Sequence, residues 1–407
     1  MSKLAGNGFV GYQWVILAVA VGAQAGTGAS TQAVPVLAFF YQADLRLTLA
    51  EVGLLTAAIS AATLFCGVAS GLVTDRVGVR RMLLTGQVLS GCSIMALSAA
   101  PSFAFMLPLG FLAGVGTSLT SPAIGKSILY WFPLKSRATA MGIKQTGIPL
   151  CGALAAAILP PLALAFDWRS AMMFLGVAVV VSGVASFAFY RDSGSIVPQG
   201  SRKGPSLAGL KGVLLGKGNW LVAFLALMLV GSQFAVVTYL ILYLKEVLLL
   251  SAAVAGGYLA LVQMSGLGAR IGWGFISDFV LKGRRKPVLL SCGFIATTML
   301  ALIGMSGADA NPAVLVILMV GLGVSLIGWH GIWITVLTEL NSVEMAGTAM
   351  GFGATITHIG AVGFPVLFGF IVDATGAYCL AWYTLAGLIL LGTLPLLFLL
   401  HERIEHS

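Results

Sequence analysis

The chain has 407 residues and a formal net charge of +9, yet only 9% of its residues are charged and 59% are hydrophobic. Soluble proteins carry about 25% charged residues, so this composition cannot supply a water-facing surface. It excludes a soluble enzyme, a nucleic-acid-binding protein and a disordered chain, and it indicates an all-α integral membrane protein.

Long apolar stretches follow one another along the chain. A helix needs about 20 apolar residues to cross the hydrocarbon core of a bilayer. Helices are expected, because hydrocarbon offers no partner to backbone N–H and C=O groups. The sequence predicts 12 transmembrane helices, at 12–38, 50–74, 82–100, 103–131, 138–165, 169–190, 219–244, 251–277, 287–306, 312–338, 345–372 and 376–400.

These spans divide into two sets of six, which predicts two pseudo-symmetric six-helix bundles. The predicted organisation is an N-terminal bundle at 1–190, a cytoplasmic linker at 191–218, a C-terminal bundle at 219–400 and a cytoplasmic tail at 401–407. Two sequence echoes support it. "GLVTDRVGVRR" and "GFISDFVLKGRRK" follow the second and eighth spans, and "TAMG" opens the fifth and eleventh. Parallel repeats of this kind place a substrate site near the middle of the membrane.

The distribution of basic residues predicts the orientation. With a cytoplasmic N-terminus, sixteen of the 22 Lys and Arg residues fall in inside segments and three in outside loops. Cytoplasmic loops are enriched in Lys and Arg, so we expect both termini to be cytoplasmic and the protein to be a multi-pass component of the cytoplasmic (inner) membrane. The same distribution explains the basic charge without a nucleic-acid partner.

The loop after the second span resembles a signature of the major facilitator superfamily, and the resemblance covers essentially the whole chain. The matching residues are Gly71, Asp75, Arg76, Gly78, Arg80 and Arg81. The resemblance implies the fold of that superfamily and a conformational latch that holds the outward-open state. A degenerate second copy contains Asp278 and Arg284. An acidic residue beside basic side chains and helix ends can form such a charge-assisted contact. Simple positive-inside anchoring is the alternative, but it leaves Asp75 unexplained.

Two further segments are similar to organic-anion branches of the superfamily, of the monocarboxylate and oxalate/formate types. The first contains the run Trp131–Pro133 followed by Arg137 and Gly147. The second is "ARIGWG", in which Arg270 matches an intramembrane arginine of the monocarboxylate type. The acidic partner that some of those carriers place one turn earlier is replaced by Gly266.

The sign of the charge inside the predicted spans points to the substrate. None of the 13 acidic residues falls in the middle of a span, whereas Lys126, Lys144 and Arg270 lie inside. A charge within the membrane costs several kcal/mol and usually has a partner or marks a pathway. We therefore expect an anionic substrate to supply the counter-charge. Alternatively, Lys126 and Lys144 reach the headgroups with their ammonium groups.

Other polar and aromatic residues in the spans are candidate substrate contacts. They are Gln24, Gln145, Tyr239, Gln263, Trp329 and Trp333. Ordinary core packing is the alternative for the two tryptophans. His330 and His358 are candidates for carrying a coupled proton, although a lone histidine is often satisfied by backbone.

These observations predict a secondary transporter of small organic anions, with carboxylates favoured, that works by rocker-switch alternating access. No G-x-x-x-x-G-K-[ST] segment occurs, so the driving force is expected to be protons or a counter-anion. We expect no cofactor, no metal site, no enzymatic activity and a monomer in the lipid bilayer. The alternatives are a drug or amphiphile exporter, which more often carries an acidic residue in its spans, and a polytopic membrane enzyme. The latter needs a general base or metal ligands near the interface.

Overall fold

The computed structural model describes residues 8–191, 212–341 and 345–400. Most of the predicted linker and the whole predicted tail at 401–407 lie outside the described residues. Helices account for all the regular structure of the described part, and no strand occurs there. The all-α prediction is confirmed.

The first half of the chain supplies eight α-helices. A π turn (Ala29–Ala33) and a 3-10 turn (Pro35–Leu37) separate the first two. The helices are α1 (Gly8–Gly28), α2 (Ala38–Leu45), α3 (Leu49–Val77), α4 (Val79–Ser98), α5 (Phe103–Trp131), α6 (Leu134–Gln145), α7 (Gly147–Ala165) and α8 (Trp168–Phe189).

The second half continues this helical arrangement. Its long helices are α9 (Lys217–Glu246), α10 (Ala252–Phe275), α11 (Lys286–Met305), α12 (Pro312–Leu326), α13 (His330–Glu339), α14 (Ala346–Thr375) and α15 (Tyr378–Leu399). A π turn, Ile276–Val280, extends α10.

Eleven helices or helix pairs in the described part are long and apolar enough to cross a membrane. The predicted third span, 82–100, corresponds to helix α4 (Val79–Ser98), which is not among the eleven; the helix carries Arg80 and Arg81 in its first turn and Gln87 further on. Protein covers two of the polar residues in the middle of this helix. Gln87 and Ser90 are buried, and Ser90 Oγ lies 2.7 Å from Ser30 Oγ.

The chain divides into two compact units. Unit 1 comprises Met1–Phe40 and Ala58–Gln199, and unit 2 comprises Tyr41–Ala57 and Gly200–Ser407. In unit 1, α4 packs along both α5 and α8, and α1 packs on α7. In unit 2, α9 packs along α14, and α11 packs along α15. The first turns of α3 therefore belong to unit 2 and the rest of that helix to unit 1.

Several predicted spans are interrupted rather than continuous. The span at 12–38 contains the π and 3-10 turns, the span at 138–165 is divided at Thr146, and the span at 312–338 is divided at 327–329. Backbone groups near such an interruption can lose their helical partners, so side chains must satisfy them. The third interruption lies at the candidate site of unit 2.

Candidate functional site

Lys144 is the buried cation of unit 1. It lies in the last turn of α6, just before the interruption at Thr146, and is 9% exposed. Its ammonium group has no hydrogen-bond or ion-pair partner among the residues that the structure describes. A buried ammonium without a counter-charge is unfavourable and favours the approach of an anion.

Helix α1 lies directly beside this point. It passes so close to Gly147 that an added Cβ would lie 2.6 Å from the Val21 carbonyl oxygen and 3.0 Å from the Gln24 Cβ. Gln24 is buried, and its Oε1 has no donor within the described part of the chain. Gln145 is half-buried at the end of α6. Lys144 and Gln24 thus flank one α1–α7 junction, where glycine is required.

Lys126 differs from Lys144, because it has a carboxylate partner. Its Nζ forms an ion pair with Asp75 at the end of α3 and also contacts the Gly71 carbonyl oxygen at 3.4 Å. The counter-charge of Lys126, which was expected from an anionic substrate, is thus supplied by an acidic residue at a helix end. The pair links the ends of α3 and α5 within unit 1. An anion gains less from Lys126 than from Lys144, since Asp75 already neutralises it.

The arginines of the signature loop point elsewhere. Arg80 donates from Nε to the Phe187 carbonyl oxygen at 2.8 Å, and its guanidinium lies 4.2 Å from the centre of the Phe187 ring. Arg76 and Arg81 are exposed. Gly78 has φ +90°, a conformation that favours glycine, and it begins helix α4. Asp75 is therefore matched by a lysine of α5, whereas Arg80 ties α4 to α8.

The second copy of the loop uses a different arginine from the predicted one. Arg285 pairs with Asp278, and its Nε lies 3.6 Å from a carboxylate oxygen of Glu339 at the end of α13. Arg284 is exposed and contributes its carbonyl oxygen to Ser277. Arg284 was predicted as a latch residue together with Asp278, but Arg285 is the arginine that pairs with Asp278.

In unit 2, Arg270 lies against the interruption between α12 and α13. Its Nε donates to the Ile327 carbonyl oxygen at 3.1 Å. One turn later, Trp273 Nε1 donates to the Val324 carbonyl oxygen at 3.0 Å. Two side chains of α10 therefore satisfy backbone acceptors of the interrupted helix. The hydrogen bond from Arg270 Nε to Ile327 holds the guanidinium group beside the interruption.

His330 shares the acceptor that Arg270 uses. Its Nδ1 lies 3.3 Å from the Ile327 carbonyl oxygen, and its ring lies 4.4 Å from that of Trp329. A carbonyl oxygen only accepts, so Nδ1 carries the hydrogen and Nε2 is left as the basic nitrogen. The structure thus brings Arg270, His330 and Trp329 together around Ile327.

The two tryptophans of this helix differ in their contacts. Trp329 is buried and donates to the Leu326 carbonyl oxygen at 2.8 Å. Trp333 is also buried, but its indole N–H has no acceptor among the described residues, and its ring packs on Gly353 of α14. Trp333 therefore offers an unsatisfied donor, whereas the donor of Trp329 is occupied.

The remaining candidates of unit 2 lie on three helices. His358 on α14 directs Nδ1 to the Ala354 carbonyl oxygen at 2.7 Å, so its Nε2 is likewise the basic nitrogen. Gln263 is buried on α10. The hydroxyl of Tyr239 on α9 lies 2.6 Å from the Leu49 carbonyl oxygen and 2.8 Å from that of Pro365. Its single hydrogen is occupied by backbone acceptors.

The pKa of one group outside the spans is shifted. Asp167 caps α8, and hydrogen bonds from Ser170 lower the pKa of its carboxyl group.

The sequence did not indicate three residues as members of a site. They are Trp273, Arg285 and Asp373, the last being an acceptor at the end of α14 that is described below. Only Trp273 had a local signal, because it follows Arg270 by three residues and a helix therefore places both on one face.

The multi-pass helical fold, the paired sequence echoes and the buried cations define a membrane transporter. The sequence profile of the Major Facilitator Superfamily matches residues 16–365. The chain belongs to this superfamily.

Known proteins resemble the chain over most of its length. An uncharacterised transporter of the same superfamily from Mycobacterium tuberculosis is 29% identical over 388 residues, which cover 95% of this chain and 85% of the relative. The hexuronate transporter of Bacillus subtilis is 26% identical over 383 residues, covering 90% and 89%. A crystal structure of a mutant nucleoside transporter superposes with a TM-score of 0.78 at 12% identity, over 95% of this chain and 99% of that one. The last similarity shows the fold alone.

Proposed function

We propose that the protein is a secondary transporter of small organic anions, carboxylates foremost, and that Lys144 and Arg270 contact the substrate. The observation that carries the proposal is Lys144, a residue only 9% exposed whose ammonium group has no counter-charge in the described part of the chain. A substrate anion would supply that charge. The similarity to a hexuronate transporter supports an anionic substrate, because a hexuronate carries a carboxylate.

Arg270 has the geometry for binding a carboxylate. The hydrogen bond from its Nε to the Ile327 carbonyl oxygen positions the side chain. A guanidinium group is planar and can donate two parallel hydrogen bonds to a carboxylate. The unsatisfied indole N–H of Trp333 is a further donor in unit 2.

We further propose that both termini are cytoplasmic, that the protein lies in the cytoplasmic membrane and that a proton or counter-anion gradient drives alternating access. If protons are coupled, Nε2 of His330 or His358 is the proposed carrier, since Nδ1 of each ring faces a carbonyl oxygen. His330→Gln and His358→Gln, assayed for proton-driven uptake in proteoliposomes, test this assignment. Unchanged coupling in both variants would exclude the histidines.

The substrate class is tested with purified protein and a panel of radiolabelled mono-, di- and sugar carboxylates in proteoliposomes. Each carboxylate is paired with its neutral amide or parent sugar. We expect saturable uptake of at least one carboxylate and no uptake of its neutral counterpart. Preferred uptake of uncharged or cationic amphiphiles would favour the exporter alternative and reject this proposal.

The contribution of Lys144 is tested against that of Lys126, which serves as a matched control. A charge-assisted hydrogen bond is worth roughly 1.5–3 kcal/mol, so Lys144→Gln should weaken anion binding at least about tenfold. Lys126→Gln should leave affinity nearly unchanged, because its charge is already compensated by Asp75. Equal losses in both variants, measured calorimetrically in detergent, would contradict the assignment.

Arg270 is tested by separating charge from shape. Arg270→Lys keeps the positive charge and loses the fork, so we expect a substantial loss of uptake. Arg270→Ala should abolish uptake while the protein still reaches the membrane. Binding by the alanine variant at the affinity of the unmodified protein would show that Arg270 does not hold the substrate.

A further inference from the structure

The beginning of helix α3 is capped only in part by its own residues. Thr48 N donates to Glu51 Oε2 at 2.8 Å, and Glu51 N donates to Thr48 Oγ1 at 3.2 Å. This reciprocal arrangement is a capping box. It satisfies the amides of Thr48 and Glu51 and leaves those of Leu49 and Ala50 to find acceptors elsewhere.

A carboxylate from the other end of the sequence accepts both remaining hydrogens. Leu49 N donates to Asp373 Oδ1 at 2.9 Å, and Ala50 N donates to Asp373 Oδ2 at 2.7 Å. Asp373 lies in the last turn of α14. Each oxygen takes one amide, and the negative charge also complements the positive end of the α3 dipole.

Two further contacts fasten the same part of α3 inside unit 2. The buried hydroxyl of Tyr239 lies within hydrogen-bond distance of the Leu49 and Pro365 carbonyl oxygens, and so joins α3 to both α9 and α14. Two turns after Leu49, Thr56 Oγ1 lies 3.2 Å from Thr238 Oγ1. The contacts therefore follow the first two turns of α3.

The backbones of α3 and α14 approach each other closely beside these contacts. A Cβ on Gly53 would collide with the Pro365 carbonyl oxygen, and a Cβ on Gly369 would collide with that of Leu49. Glycine at both positions lets α3 and α14 meet without intervening side chains. Separating the two helices would therefore expose main-chain groups and small polar side chains that water can satisfy.

We propose that Asp373 is a reversible clasp, which holds the first turns of α3 to α9 and α14 in this conformation and releases them during the transport cycle. The proposal rests on the transport function proposed above. Helix α3 is assigned to unit 2 up to Ala57 and to unit 1 from Ala58, so it is an element that both units share. The predicted orientation places the clasp at the outer face of the membrane.

Thiol labelling of Thr56→Cys tests the clasp without any substrate. Thr56 is 2% exposed, so in a background lacking the five native cysteines a membrane-impermeant maleimide should label it slowly. Asp373→Asn keeps the shape of the side chain but loses the charge and one of its two acceptor oxygens. We expect labelling at least tenfold faster in that variant. Tyr239→Phe removes the shared hydroxyl and should accelerate labelling as well.

Matched controls separate release from unfolding. Glu51→Gln changes a carboxylate in the same turn but preserves the capping box, so labelling at position 56 should not change. Ala43→Cys, at an exposed position before α3, should be labelled rapidly in every variant. Thr393→Cys, at a fully buried position of α15, should remain unlabelled in every variant.

Labelling of Thr56→Cys at the unmodified rate in both Asp373→Asn and Tyr239→Phe would overturn the clasp. Equal acceleration at Thr393→Cys would overturn it too, because the carboxylate would then support folding rather than a conformational step. Neither readout requires an anion. The transport assays can therefore fail while the clasp is confirmed, and the reverse result is equally recognisable.

Discussion

Two lysines of unit 1 show how one residue type serves different purposes. Lys126 is neutralised by Asp75, while Lys144 is buried with no partner in the described chain. An uncompensated charge in an apolar setting lowers the stability of the ligand-free protein, and only a bound anion removes that penalty. Lys144 therefore links ligand affinity to stability, whereas Lys126 does not.

This contrast predicts that Lys144→Met stabilises the ligand-free protein. Removing a buried, unsatisfied group should raise the free energy of unfolding by about 1–3 kcal/mol. Thermal unfolding in detergent, followed by tryptophan fluorescence, measures the effect. Anion addition should raise the midpoint of the unmodified protein but not that of Lys144→Met, and Lys126→Met should show no gain. A lower midpoint for Lys144→Met with a preserved anion effect would contradict the role of Lys144.

For individual residues, the sequence predicted which positions carry buried charge better than it predicted which residues those charges contact. The scarcity of charge within the spans was enough to single out Lys144 and Arg270. The partner of Lys126 is 51 residues away, and no local pattern reports such a contact. The pairing of Asp278 with Arg285 rather than with Arg284 also depends on the fold. Lys282 and Gly283 both have positive φ values, which reverse the loop and decide which neighbouring arginine faces Asp278.

Among the elements, the interruption between α12 and α13 decides where Arg270 lies. Glycine permits this arrangement, because a Cβ on Gly328 would lie 2.6 Å from the Ala269 Cβ of α10. Close approach lets Arg270 and Trp273 reach carbonyl oxygens of the interrupted helix. A backbone feature, the Ile327 carbonyl oxygen at the interruption, therefore helps to position this cation.

Trp273→Phe tests this support, with Trp382→Phe as its control. The first change leaves the Val324 carbonyl oxygen without its donor, so it should cost about 1–3 kcal/mol of stability and also lower anion affinity. Trp382 is fully buried and its indole N–H has no acceptor in the described part, so Trp382→Phe removes packing but no hydrogen bond and should leave anion affinity unchanged. Chemical denaturation and calorimetry measure both quantities. Equal losses of anion affinity in Trp273→Phe and Trp382→Phe would show that the hydrogen bond of Trp273 does not support the site of Arg270.

Hydropathy placed the helices well, and α5 spans the predicted residues 103–131. It could not place the interruptions, because the apolar pattern continues unbroken through 327–329 and no proline occurs there. The interruption depends on donors from a neighbouring helix. Such information is distributed over two segments and is absent from either one alone.

For the whole molecule, the pair formed by Asp75 and Lys126 should affect cycling rather than binding. Asp75→Asn leaves the ammonium of Lys126 without its carboxylate and weakens the link between the ends of α3 and α5. We expect slower transport with nearly unchanged affinity, measured as turnover in proteoliposomes and as binding in detergent. Asp309→Asn, an exposed change in another loop, should alter neither. Transport by Asp75→Asn at an equal or higher rate would refute the latch.

The sequence echoes predicted two halves, but they did not show that α3 is divided between the compact units. That division follows from contacts of Gly53 and Thr56 with residues more than 180 positions later. Nothing near α3 in the sequence signals these contacts. Asp373 was missed for the same reason, since a single acid at a helix end has the ordinary appearance of a loop residue.

The polarity of α4 has a consequence for the synthesis of the protein. This helix emerges from the ribosome with Arg80, Arg81 and Gln87, and such residues oppose entry into lipid. Its neighbour α8 supplies Ser186 as a partner for Gln87, and Ser186 is translated 99 residues later. At an elongation rate of about 5–20 residues per second, α4 must wait several seconds for that partner. Its stable insertion is therefore expected to depend on the translocation machinery or on a hairpin with α5, and chains that end before α8 should be the first that quality control removes.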